Sequence, residues 1–87
     1  MYKKRGVCLN LNQQERPRLK TPEGATYEVN YITALTWDRL DGTKTIETVA
    51  NEIKEIGKVE NTDLDTIVKN IINELVKVDL VSPLTQN

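Results

Sequence analysis

Residues 30–42 read NYITALTWDRLDG, and the reading of this stretch decides the fold. Asn30 is a residue type that caps helices by accepting a backbone N–H bond. Ile32, Leu35, Thr36, Arg39 and Leu40 follow at helical spacing, with Trp37 flanking them. Gly42 stands where a left-handed C-terminal cap is wanted. The spacing predicts a helix of about three turns, residues 31–41, the common length for a globular helix.

Upstream, the period is two rather than 3.6. Val7, Leu9 and Leu11 alternate with other residues, as in a half-buried strand. Arg16 to Lys20 is a second strand candidate, and Pro17 inside it implies an edge, a bulge or a late start. Thr21-Pro22-Glu23-Gly24 is turn chemistry, and Ala25 to Val29 resumes an extended pattern with Tyr27 and Val29 on one face. The reading is a small antiparallel meander.

Downstream, two more helices follow. Thr45 caps the second, whose apolar stripe is Ile46, Val49, Ala50, Ile53 and Ile56, with Gly57 closing it. Thr62 and Asp65 resemble a capping box that opens the third. Pro83 discourages regular structure beyond it. The prediction is an α+β, winged-helix-like domain spanning residues 1–87. It has a three-stranded antiparallel sheet (strands within about 5–29) followed by a three-helix bundle (about 31–41, 45–56 and 62–78).

The third helix carries more apolar surface than one contact needs. At 100° per residue, Leu64, Val68, Ile72, Leu75 and Val76 cover one half of an arc and Ile67, Ile71 and Val78 the other. The arc spans about 180°, against the ~100° of a single core-facing stripe. The second half either packs on the sheet or serves a second client.

Composition narrows the function. Eighty-seven residues, 38% hydrophobic and 29% charged, can fold around one modest core. The N-terminus is basic and polar, without a signal-peptide pattern, and no apolar run is long enough to span a bilayer. With a single cysteine, Cys8, and no membrane or export signal, a cytoplasmic protein is expected. There is no histidine, no CxxC pair, no phosphate-binding glycine loop and no GxSxG. Neither a metal site nor another cofactor is expected, and neither is catalysis by this chain alone. Asp38 and Asp41 flank a helix end and read as structural.

Charge is unevenly distributed. Residues 1–20 carry six bases and one acid, whereas residues 21–87 carry six bases and twelve acids. A basic arm of this kind can steer an acidic peptide or a nucleic acid. A winged helix would raise DNA binding, but the third-helix region has Asp63, Asp65, Glu74 and Asp79 against Lys69 and Lys77. Phosphate contacts dominate nucleic-acid affinity, so an acidic helical half argues against that role. Peptide capture fits better. An open strand at Ala25–Val29 would offer its backbone to an extended guest, with the surplus apolar edge of the third helix as the opposite wall.

These residues resemble the PqqD-like family, the standalone form of the RiPP precursor peptide recognition element (RRE). The resemblance rests on Pro22-Glu23-Gly24, an apolar strand ending in Asn30, Ala34, Leu35 and Trp37 in the first helix, Leu40-Asp41-Gly42, and Thr45-Ile46-Glu47 opening the next helix. Leu75 and Asp79-Leu80-Val81 extend it. The chain departs from the family's usual pattern at Tyr31-Ile32, at Thr36, where Ile is usual, at Thr48, where Glu often stands, and in a gap from Gly24 to Asn30 that is one residue longer than in close PqqD relatives.

The resemblance implies a leader-binding chaperone that takes a precursor's leader as an added strand between the third strand and the third helix. The residues placed there are Ala25, Thr26, Tyr27, Glu28, Val29, Ile67, Asn70, Ile71, Glu74 and Val78. The implied partners are the leader peptide and a tailoring enzyme, a radical SAM enzyme by the PEG-like turn. The alternatives are a leader protease of the lasso-peptide kind and a winged-helix nucleic-acid-binding role. Open strand edges also pair between copies, so a weak homodimer is compatible with this reading.

Overall fold

A computed structural model describes residues 1–9, 16–57 and 63–84. The elements run β1 (Tyr2–Lys4), β2 (Val7–Leu9), β3 (Arg18–Lys20), β4 (Thr26–Glu28), α1 (Tyr31–Arg39), α2 (Ile46–Gly57), α3 (Leu64–Lys77) and β5 (Val81–Pro83). The architecture is α+β, with the expected three-stranded antiparallel meander β2-β3-β4 and three helices. A second, two-stranded sheet pairs β1 with β5.

Local chemistry accounts for most element boundaries. β3 starts late, at Arg18, because Pro17 has no N–H to give the ladder; its carbonyl still accepts from Val29 at 3.0 Å. In the turn after β3, the Gly24 N–H donates to the Thr21 carbonyl at 3.0 Å, and the Thr21 Oγ1 accepts from the Ala25 N–H at 3.0 Å. Asn30 caps α1 through its side chain, which accepts from the Thr33 N–H at 2.8 Å. Thr45 does the same for α2, accepting from the Thr48 N–H at 3.1 Å. The capping box expected at Thr62 involves a residue outside those described.

The C-terminus of α3 closes in a Schellman motif. The Leu80 N–H bonds to the Leu75 carbonyl at 2.9 Å and the Asp79 N–H to the Val76 carbonyl at 3.2 Å. Asp79 occupies the left-handed position, φ 63°, that glycine usually fills. Its carboxylate meets Arg5 at 3.3 Å.

Several sequence expectations need correction. Gly42 has φ +90° but lies three residues past the last residue of α1. Its N–H donates to the Tyr2 carbonyl at 3.0 Å, tying the α1–α2 connection to β1 rather than capping the helix. Gly57 is the last residue of α2, where the helix was expected to close, and it does so without a positive φ. Ile56, expected on the α2 stripe, is exposed.

Pro83 does not end regular structure; it pairs with Tyr2 in β5. The ladder explains why it is tolerated. The bonds Arg5 N–H to Leu80 and Leu84 N–H to Met1 mark the bonded pairs, so position 83 falls where an N–H would face away from β1. Nor are residues 2–5 a free basic arm. The Lys4 N–H donates to the Leu40 carbonyl at 2.8 Å, and the Lys4 ammonium meets Asp38 at 3.3 Å and lies 5.1 Å from the centre of the Trp37 ring.

The alternation in β2 is also inverted relative to expectation. Cys8 pairs with Leu19 and packs on the core, while Val7 and Leu9 face outward, 53% and 39% exposed. Leu11 lies outside the described residues. Gly6 sets this register: at φ +81°, an added Cβ would overlap the Lys20 carbonyl, so only glycine lets the chain pass from β1 into β2.

One core joins the layers. Leu19 from the sheet, Leu35, Trp37 and Leu40 from α1 and its end, Val49, Ala50 and Ile53 from α2, Leu64, Val68, Ile72 and Leu75 from α3, and Leu80 and Val81 beyond it are all buried. α1 is covered on more than one side, since Ala34, Leu35, Thr36 and Trp37 are buried in succession. That is why its sequence shows no clean stripe, and why Ile32 is only half-buried.

Candidate functional site

The site begins with the position of β4. In the order β2-β3-β4 it is an edge, and among the described residues no strand pairs with its outer side. Pairing of Arg18 with Glu28, Leu19 with Tyr27 and Lys20 with Thr26 sets its register. The bonds Val29 N–H to Pro17 and Thr21 N–H to Ala25 show that the odd-numbered residues of β4 face β3. By antiparallel alternation, Tyr27 also faces β3, and the N–H and C=O groups of Thr26 and Glu28 point to the open edge.

Side chains alternate across the sheet at right angles to that ladder. Tyr27 shares the inner face with buried Leu19, yet it is 40% exposed. An inward-facing aromatic remains this accessible because the chain leaves a groove beside it. The groove is about 340 Å³ and is lined by Tyr27, Glu28 and Val29 from the strand, Thr33 from α1, Asn70, Ile71, Glu74 and Leu75 from α3, and Val78 and Leu80 beyond it. The core-side half of the α3 arc packs inward, and Ile71 and Val78, from the other half, remain partly accessible.

Seven of the ten residues expected at the site therefore surround one groove: Tyr27, Glu28, Val29, Asn70, Ile71, Glu74 and Val78. Three do not line it. Ala25 belongs to the turn, where its N–H and C=O are both bonded to Thr21. Thr26 lies on the same edge but short of the groove, and Ile67 is half-buried against the core. Thr33, Leu75 and Leu80 were not expected. Leu75 fell on the core half of the helical arc, while Thr33 and Leu80 reach the groove only through the packing of α1 and the turn after α3.

The groove has an apolar floor and a polar rim. Its charged lining residues are Glu28, whose carboxylate turns to the outer face of the sheet and meets Arg16 at 3.8 Å, and Glu74, whose carboxylate meets Lys77 at 3.3 Å, all well exposed. A groove with the Glu74 carboxylate at its rim and no lining cation does not suit a phosphate backbone. An extended peptide suits it, with backbone groups for the edge and side chains for the floor.

Cys8 lies on the same inner face as Leu19, and burial raises its thiol pKa, with the Asp38 charge adding to the rise. It is thus held as a thiol rather than as a nucleophilic thiolate. Among the described residues there is no group of three or more His, Cys, Asp or Glu placed to hold a metal ion, and no helix long and apolar enough to cross a membrane.

The family model described as Coenzyme PQQ synthesis protein D (PqqD) matches residues 1–81. Comparison with curated proteins and with solved structures returned no match.

Proposed function

The chain belongs to the PqqD family, and from that premise we propose that it is a non-catalytic, peptide-binding adaptor in the biosynthesis of a ribosomally made, modified peptide. It captures the leader of the precursor as a fourth strand along β4 and presents the remaining segment to a separate tailoring enzyme in the cytoplasm. The PEG turn at Pro22-Glu23-Gly24 favours a radical SAM enzyme as that partner.

The observation that supports the reading best is the pairing of two vacancies. Among the described residues, the outward backbone groups of Thr26 and Glu28 have no strand beside them and the apolar floor next to them is uncovered. A guest strand satisfies both at once. Main-chain bonds supply affinity, and every second guest side chain enters between Tyr27 and the wall formed by Ile71 and Val78. A leader of roughly ten residues bound this way reaches about micromolar affinity, ~8 kcal/mol. A second copy can use the same edge, giving a weak dimer that the leader displaces.

The test is a titration of isotopically labelled chain with a synthetic leader, beside a scrambled peptide. Shifts should concentrate at Thr26, Glu28, Ile71 and Val78. Shifts confined to the α2 surface, or no binding at all, refute the assignment. Retardation of generic duplex DNA at low salt would return the nucleic-acid alternative.

A further inference from the structure

The outer face of the three-stranded sheet is not used by the groove, and its composition is unusual. Two rows cross it: Val7, Lys20 and Thr26, then Leu9, Arg18 and Glu28. Val7 and Leu9 are among the most exposed large apolar side chains of the protein. Arg18 and Lys20, like Lys3, Lys54 and Lys69, form no ion pair with another described residue, but these two stand together beside exposed apolar side chains on one sheet face. Aliphatic side chains and two cations that form no ion pair among the described residues thus share one sheet face, with Glu28 opposite Arg18.

We propose that this face docks a folded protein whose matching surface carries carboxylates around an aliphatic centre, and that this protein is the modifying enzyme. The identity of the partner rests on the adaptor reading; the docking face itself does not.

Charge complementarity selects the occupant. Two cations without an ion pair among the described residues, beside two apolar side chains, reward a carboxylate surface that also buries aliphatic area, because desolvation strengthens each pair. Nucleic acid fits less well. Val7 and Leu9 provide no aromatic stacking platform, and Glu28 sits in the same row as Arg18.

The geometry permits both partners together. Tyr27 turns its side chain toward the groove, while Thr26 and Glu28 turn theirs to the outer face. A leader added along β4 extends this face by one strand and leaves Val7, Leu9, Arg18 and Lys20 uncovered. The enzyme would then meet the leader and the adaptor side by side.

The probe is the purified radical SAM enzyme of the same biosynthetic system. Its binding is measured to the full chain, to the double variant Arg18→Glu with Lys20→Glu, and to Val7→Ser with Leu9→Ser. All four positions are exposed, and circular dichroism checks each fold. Each double variant should bind the enzyme at least ten-fold more weakly while leader affinity stays within two-fold of the parent. Enzyme affinity unchanged in either variant overturns the proposal, as does an enzyme that does not bind the parent chain. A charge-reversal loss seen only with random duplex DNA or anionic vesicles assigns the face to nucleic acid or lipid instead, and also overturns it. If the enzyme docks here while the leader ignores the groove, the groove reading fails and the docking face stands.

Discussion

The indole N–H of Trp37 lies 3.0 Å from the carbonyl oxygen of Leu80 and is shared with the carbonyl of Arg5 at 3.1 Å. One side chain on α1 thereby holds the two chain ends of the β1–β5 ribbon. Trp37→Phe keeps most of the ring but removes the donor from both carbonyls. The expected cost is about 1–3 kcal/mol, read as a drop in thermal midpoint of several degrees for a domain of this size. An unchanged midpoint would mean the bond is dispensable.

Thr36 is fully buried, and its Oγ1 has no hydrogen-bond partner among the described residues. Valine has nearly the same shape without the hydroxyl. Thr36→Val is expected to stabilise the fold by about 1 kcal/mol, the order of a buried unsatisfied polar group. A lower denaturation midpoint in urea would contradict this.

Proline separates the two sides of β4. At Glu28 the N–H points to the open edge, so Glu28→Pro should leave the fold near its parent stability and weaken leader binding at least ten-fold. At Tyr27 the N–H faces β3, so Tyr27→Pro should lower the melting temperature before any binding is measured. Leader affinity that survives Glu28→Pro would place the guest somewhere else.

Ile71 and Ile67 lie one helical turn apart on α3, but only Ile71 lines the groove. Ile71→Asp should reduce leader binding at least ten-fold by placing a charge against an apolar floor. Ile67→Asp should act through stability alone, since its side chain packs on the core, as that of Ile71 does, but does not line the groove. Calorimetric titration beside thermal melts distinguishes the two, and equal binding loss in two folded variants would enlarge the site toward Ile67.

Burial alone would raise the pKa of Asp38, but the hydrogen bond from Arg39 at 2.8 Å and the charge and hydrogen bond of Lys4 outweigh it, so the carboxyl sits below its ordinary value. A depressed carboxylate stabilises the fold above the usual aspartate range and loses that contribution as pH falls through its lower folded pKa. The parent should therefore out-melt Asp38→Asn by a constant margin from pH 7 to about 5, and the margin should shrink below about pH 4. A margin independent of pH would mean the ion pairs with Lys4 and Arg39 contribute nothing.

The uneven legibility of the chain has a pattern. Helix starts at Asn30 and Thr45 could be read because a cap depends on residues three apart. The outward turn of Val7 and Leu9 could not, because the inner face is set by Cys8 meeting Leu19 across the sheet. Two leucine-class residues outvote a cysteine in any count of alternation, and the close pass of Gly6 over Lys20 appears only in three dimensions. The groove was legible in part for the same reason. Strand and helix each announced an apolar face, whereas Thr33 and Leu80 arrive through the packing of α1.

The sequence by itself determined the meander, the three helices and the wide apolar arc of α3, since turns, caps and periodicity are written within a few neighbouring residues. Only the tertiary structure decided that β1 and β5 close into a second sheet, that Trp37 joins them, and that β4, unpaired on its outer side among the described residues, borders an apolar groove. Those features depend on groups more than thirty residues apart meeting at hydrogen-bond distance. No local pattern encodes such a meeting, because each partner is equally compatible with its own strand or helix whether or not the other arrives.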